Sequence, residues 1–115
     1  MAFWIGFYSD FDRFGYDYGK ARESVIRGFL DSHGCRSSVS GYQMLISAIN
    51  YACEYPRENC QQLFERIAVD ENMGEASWRV PYRRARYCYK RSSKAEGTKF
   101  FEFIKDGAGV LFTTL

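Results

Sequence analysis

Tyr42, Leu45, Ile46, Ile49 and Cys53 recur at i, i+3, i+4, i+7 and i+11. On a helix of 3.6 residues per turn, those positions share one face. A stripe this long and this apolar has to be covered, so the rest of the chain must fold around it. Ser40 and Gln43 stand at its head with the spacing of a capping box, in which each side chain meets the other's backbone N–H.

Neighbouring segments repeat the pattern more briefly. Over residues 20–32, Val25, Phe29 and Leu30 point inward, and Gly34 suits the C-cap that follows. Pro56 stops the central helix or starts the next. Over 57–68, Leu63, Phe64 and Ile67 form a face. Residues 69–76 are polar, contain Gly74 and read as a turn, and 77–91 read as another helix. Thr98 can cap a last helix over 99–105, with Phe100, Phe103 and Ile104 inward, and Gly107 and Gly109 end it. Phe3, Ile5 and Phe7 alternate with Trp4, Gly6 and Tyr8, while GVLFTTL at the other end is β-prone. The expectation is a mainly α fold: a small helical bundle containing a helix-turn-helix, with a short β ribbon formed by the two termini. A chain of 115 residues suits one such domain, 20–115, behind an aromatic N-terminal extension, 1–19.

Several function classes lack their marks. The four cysteines, Cys35, Cys53, Cys60 and Cys88, show no Cys-x-x-Cys pair. They read as reduced thiols of a cytoplasmic protein, not as a disulfide framework or a zinc site. MAFWIGFY has no basic leader and gives way to Asp10 and Asp12, so neither a secretory signal nor a membrane span is expected. His33 is the only histidine, and no Gly-rich nucleotide loop ending in Gly-Lys-Ser/Thr occurs. Asp10, Asp12 and Asp17 lack the later ligands and closing Glu of a calcium loop. The expectation is a protein that is not an enzyme and carries no cofactor and no metal.

What stands out is charge. The net charge is +2, yet residues 75–94 hold Arg79, Arg83, Arg84, Arg86, Lys90, Arg91 and Lys94 against Glu75 alone, leaving the rest of the chain net acidic. Placed on a helix, Trp78, Tyr82, Ala85 and Tyr89 make a packing stripe. Arg79, Arg83, Arg86 and Lys90 make a second stripe one residue along. Like charges at i and i+4 repel, so a purely structural helix would gain from interleaved Glu. A concentrated cationic face fits an anionic partner, nucleic acid first and a protein second; a solvated basic helix is the plain alternative. Aromatic content of 18%, with nine Tyr, also fits a contact surface. Pro81 interrupts the segment. It is tolerable if Ser77 caps the helix, which puts Pro81 at the edge of the first turn, or if the helix starts at Val80.

The stretches SGYQMLISAI at 40–49, LFERIA at 63–68 and RRA at 83–85 together resemble the C-terminal DNA-binding effector domain of the sporulation master response regulator, stage zero sporulation protein A. The likeness covers about residues 22–106 and lies chiefly in the GYxxLxxAI element. It implies an all-helical domain that binds a DNA box as a dimer or tandem pair. Ser77 to Arg84 fall on the start of the family's recognition helix. Arg79 and Val80 stand where the family places a base-reading Glu-Arg pair, so its base preference is not carried over. Arg83 matches a family arginine. The segment before residue 20 is too short for a phosphorylatable receiver, so a freestanding regulator, or a phage or mobile-element protein reusing the scaffold, is expected. The candidate contacts to double-stranded DNA are Ser77, Arg79, Arg83, Arg84, Arg86, Lys90 and Arg91. The alternative is a phage or mobile-element module that binds and inhibits a protein such as a nucleic-acid enzyme.

Overall fold

The apolar stripe becomes the centre of the molecule. A computed structural model describes residues 18–92 and 99–114. Five helices occur among them: α1 (Tyr18–Ser32), α2 (Tyr42–Glu54), α3 (Cys60–Asp70), α4 (Arg79–Lys90) and α5 (Phe100–Thr114), with a 3-10 turn, Glu75–Ser77, before α4. α2 touches all four of the others. Its Tyr42, Leu45, Ile46, Ala48, Ile49 and Ala52 are buried, and burying side chains such as Leu45 and Ile49 stabilises the fold by about 1.5–3 kcal/mol each. Ile26, Phe29 and Leu30 of α1, Leu63, Phe64 and Ile67 of α3, and Phe103, Ile104 and Leu111 of α5 complete the core. Val25 and Cys53 pack only at its margin.

The ends of the helices follow local chemistry. Gly34, with φ 83°, closes α1: Cys35 N–H donates to Leu30 C=O at 2.9 Å and Gly34 N–H to Asp31 C=O at 3.1 Å, a Schellman motif. Asn72, with φ 60°, closes α3 in the same way through Met73 N–H to Ala68 C=O at 2.9 Å. A glycine there avoids the Cβ cost of the left-handed region, so Asn72→Gly is expected to raise stability by a few tenths of a kcal/mol in a thermal melt.

The capping box expected at Ser40 and Gln43 does not form. Gly41 is the N-cap of α2, with φ 95° and no side-chain cap bond. The box occurs instead at Asn59 and Gln62, opening α3 with both bonds at 2.9 Å. Beside it, Glu58 clamps Arg66 through two bonds of 2.7 Å, and the guanidinium lies 3.6 Å from the Tyr55 ring centre.

The C-terminal expectation is also corrected. α5 does not stop at Gly107 but runs through Gly107 and Gly109 to Thr114, and no strand occurs among the described residues. The β-prone tail is therefore helical, and the ribbon it was to share with the N-terminus is not seen. Residues 1–17, nearly all of the expected extension, lie outside the described residues. Gly107 is kept in a helix interior by packing. A Cβ there would sit 2.9 Å from Ile49 Cδ1 and 3.0 Å from Phe29 Cε2, so its absence lets α5 close on α1 and α2. No helix among the described residues is long and apolar enough to cross a membrane.

Candidate nucleic-acid interface

α4 has an inner and an outer side. Pro81, Ala85, Cys88 and Tyr89 are buried. Tyr89 packs on Phe100 and Phe103 at 5.3 and 5.1 Å between ring centres. Tyr82 meets Phe64 and Phe100 edge-on, both at 5.5 Å. Burial pushes the Tyr89 hydroxyl up in pKa. Trp78 and Tyr82, expected in the packing stripe, are half-buried at its edge.

Pro81 fits because of where α4 begins. Trp78 is the N-cap, so Pro81 is the third helical residue. The N–H groups of the first turn have no intrahelical acceptor, and proline gives up nothing there. Ser77 lies in the 3-10 turn and does not cap the helix. Pro81→Ala is expected to destabilise by about 1 kcal/mol, through lost packing and a more flexible unfolded chain. A proline inside the helix would give the opposite sign, a gain of up to about 3 kcal/mol. A pair of thermal melts separates the two.

The outer side carries the candidate residues. Arg79, Arg83, Arg84, Arg86, Lys90 and Arg91 are all exposed, and Ser77 is half-buried. The cations do not form one stripe. Arg79, Arg83, Arg86 and Lys90 line one edge of the exposed face, and Arg84 and Arg91 line the other. Between the edges run Val80 and Tyr87, 37% and 51% exposed. Arg79 is held over the Trp78 ring at 4.9 Å, and Arg91 over the Tyr87 ring at 5.7 Å.

Three other arginines among the described residues are paired, and these cations are not. Arg22, Arg27 and Arg66 lie 3.6, 2.8 and 2.7 Å from Glu54, Glu23 and Glu58. None of the six on and just beyond α4 has a salt bridge among the described residues. No described carboxylate compensates their charge at contact range, so a bound anion would meet it without first displacing one of these. Glu58, Glu65, Asp70 and Glu75 line a cleft with Arg66 beside the turn that precedes α4.

Two contacts fix α4 against the loop before α2. The Gly41 backbone closes on the carbonyl of Arg84, where a Cβ would lie only 1.8 Å from the oxygen. The Cys35 and Cys88 thiols are both buried, and Cys35 is pushed well up in pKa by its contact with Cys88 and by desolvation. All four cysteines are free. Sequence reasoning did not single out the neutral crest or this loop. The helical wheel holds the signal for Val80 and Tyr87; no spacing rule links residues 35–41 to 84–91.

No group of three or more His, Cys, Asp or Glu side chains that could hold a metal occurs among the described residues. His33, the sole histidine, takes up a packing position, with Nδ1 2.9 Å from the Phe29 carbonyl and its ring against Phe29 and Phe103. No protein-family model, no curated protein and no solved structure matches the chain, so the candidate interface stands on its own geometry and charge.

Proposed function

We propose that this protein is a small DNA-binding regulator of transcription, in which α3, the turn after it and α4 act as a helix-turn-helix. The observation that carries the reading is the outer face of α4: two cationic edges, unpaired with any described carboxylate, flanking Val80 and Tyr87. A helix seated in a major groove needs this division. Its flanks meet phosphates, which position it, and its crest meets base edges, which specify sequence. Val80 offers an apolar surface to a thymine methyl group, and Tyr87 a hydroxyl that donates or accepts. The resemblance to the sporulation effector domain agrees with this arrangement and supplies the expectation of paired sites. The base preference would be this chain's own, because Arg79 and Val80 replace the family's reading pair.

Fluorescence anisotropy against a pool of random duplexes tests the reading. Binding at low salt should weaken with salt along a log–log slope to which the six cations on and just beyond α4 contribute up to about −5. Rounds of selection should then enrich a motif. An absence of binding at low salt would sink the reading.

A module docking on a protein is the second reading. Phe112, 78% exposed, lines a mainly apolar cleft with Ala52, Cys53, Pro56, Ala108 and Gly109, and Lys105 stands at it. Phe112→Ser should then abolish partner capture and leave DNA affinity unchanged.

A further inference from the structure

An open cleft lies beside the end of α4, off its outer face. It measures about 750 Å³ and runs between the loop after α1 and the residue that follows α4. Arg36, Ser37 and Ser38 line one side, and Arg91 the other. All four are exposed. One carboxylate, Asp31, also borders the cleft and accepts a hydrogen bond from the Tyr42 hydroxyl at 3.0 Å. Two arginines and two serines thus line a space with a single acid among the described residues, and that acid already has a donor.

We infer that this cleft is a second phosphate-binding site, which carries a duplex backbone off the Arg84–Arg91 edge of α4 and onto the Arg36 loop. The inference rests on the DNA reading and extends it to an element outside the helix-turn-helix. Three observations support it. First, the cleft continues a cationic edge: Arg91 belongs to both. Second, the loop is held in place. Cys35 is buried against Cys88, Val39 N–H donates to Arg36 C=O at 3.0 Å, and Gly41 closes on the Arg84 carbonyl. Arg36 therefore comes to a bound backbone from a fixed base, which reduces the ordering cost of the contact. Third, charge gives the footprint a direction. The turn before α4 is bordered by Glu65, Asp70 and Glu75, which repel phosphate, whereas the opposite side offers Arg36 and Arg91. Serine hydroxyls beside arginine are ordinary phosphate donors in protein–DNA contacts.

The test is the salt dependence of binding to a random-sequence duplex, using the full chain. Each lost phosphate contact lowers the log–log slope by about 0.9. Arg36→Ala should remove one such step and weaken binding, and Arg36→Ala with Arg91→Ala should remove about two. Arg36→Lys keeps the charge and should keep most of the slope. Arg36 is exposed and in no salt bridge among the described residues, so folding should be unaffected; Arg36→Gln serves if the alanine variant misfolds. A slope and affinity unchanged in Arg36→Ala, with the parent protein binding normally, would overturn this inference alone. A parent protein that does not bind duplex DNA would overturn the DNA reading and this inference with it.

Discussion

Gly41→Ala is expected to lower the melting temperature by on the order of 15 °C, or to prevent folding. Two independent costs combine at this residue. Its φ of 95° lies in the left-handed region, where a Cβ costs about 1–2 kcal/mol. The new Cβ would also lie 1.8 Å from the Arg84 carbonyl oxygen and 2.3 Å from its carbon. Those are backbone atoms in the middle of α4 and cannot turn aside as the end of a side chain can. Relief requires α4 to move off α2, and overpacking of that kind costs about 1–3 kcal/mol more. A domain with 5–15 kcal/mol of total stability loses much of it. Gly28→Ala is the matched control. Gly28 is exposed on α1, and a Cβ there meets nothing within 4 Å. That change should stabilise by about 0.5–1 kcal/mol, because alanine loses less backbone freedom on folding. Opposite signs for the two variants in circular dichroism melts would establish the contact. Equal, small effects would mean that α2 and α4 do not meet as described.

Gly41 also shows what could be read from the sequence and what could not. The core face of α2 was legible because periodicity is local: each of Tyr42, Leu45, Ile46 and Ile49 is placed by its neighbours on the same helix. Ser40 and Gln43 carry the letters of a capping box, but the close approach of α4 requires a glycine at position 41 and leaves the start of the helix to it. Asn59 and Gln62 carry an equivalent signal, and no such contact displaces them. The length of α5 escapes local rules for the same reason. Glycines at 107 and 109 normally end a helix, but Gly107 is needed for contact with Ile49 and Phe29, residues far away in the chain. Local propensity yields to such tertiary contacts. At the candidate interface, the cations could be counted from the sequence. Their division into two edges, and the continuation of one edge onto Arg36, depend on which side of α4 is buried and on what packs beside Arg84.

Charge reversal on the Arg83 edge is expected to weaken DNA binding severely while raising thermal stability slightly. Arg79 and Arg83, Arg83 and Arg86, and Arg86 and Lys90 are spaced i+4, i+3 and i+4 on α4. Each such pair of like charges costs a helix about 0.2–0.5 kcal/mol. Arg83→Glu with Arg86→Glu breaks the first and last repulsions and turns them into attractions. It disturbs no salt bridge among the described residues, and both side chains are exposed, so nothing in the core opposes the change. A helix serving stability alone would already have this pattern. For binding, two phosphate contacts are lost and two repulsive charges take their place. The log–log salt slope should fall by at least about 1.8, and affinity at low salt by about a hundredfold or more. Lys105→Glu, exposed on α5 and away from α4, should leave both nearly unchanged. Anisotropy and thermal melts on the same preparations supply the two readouts. Weaker binding with a higher melting temperature would identify the arginine edge as a feature kept for its partner at some expense of stability. Unchanged duplex binding would remove DNA as that partner, and a fall in melting temperature would show that the edge helps to hold the fold together.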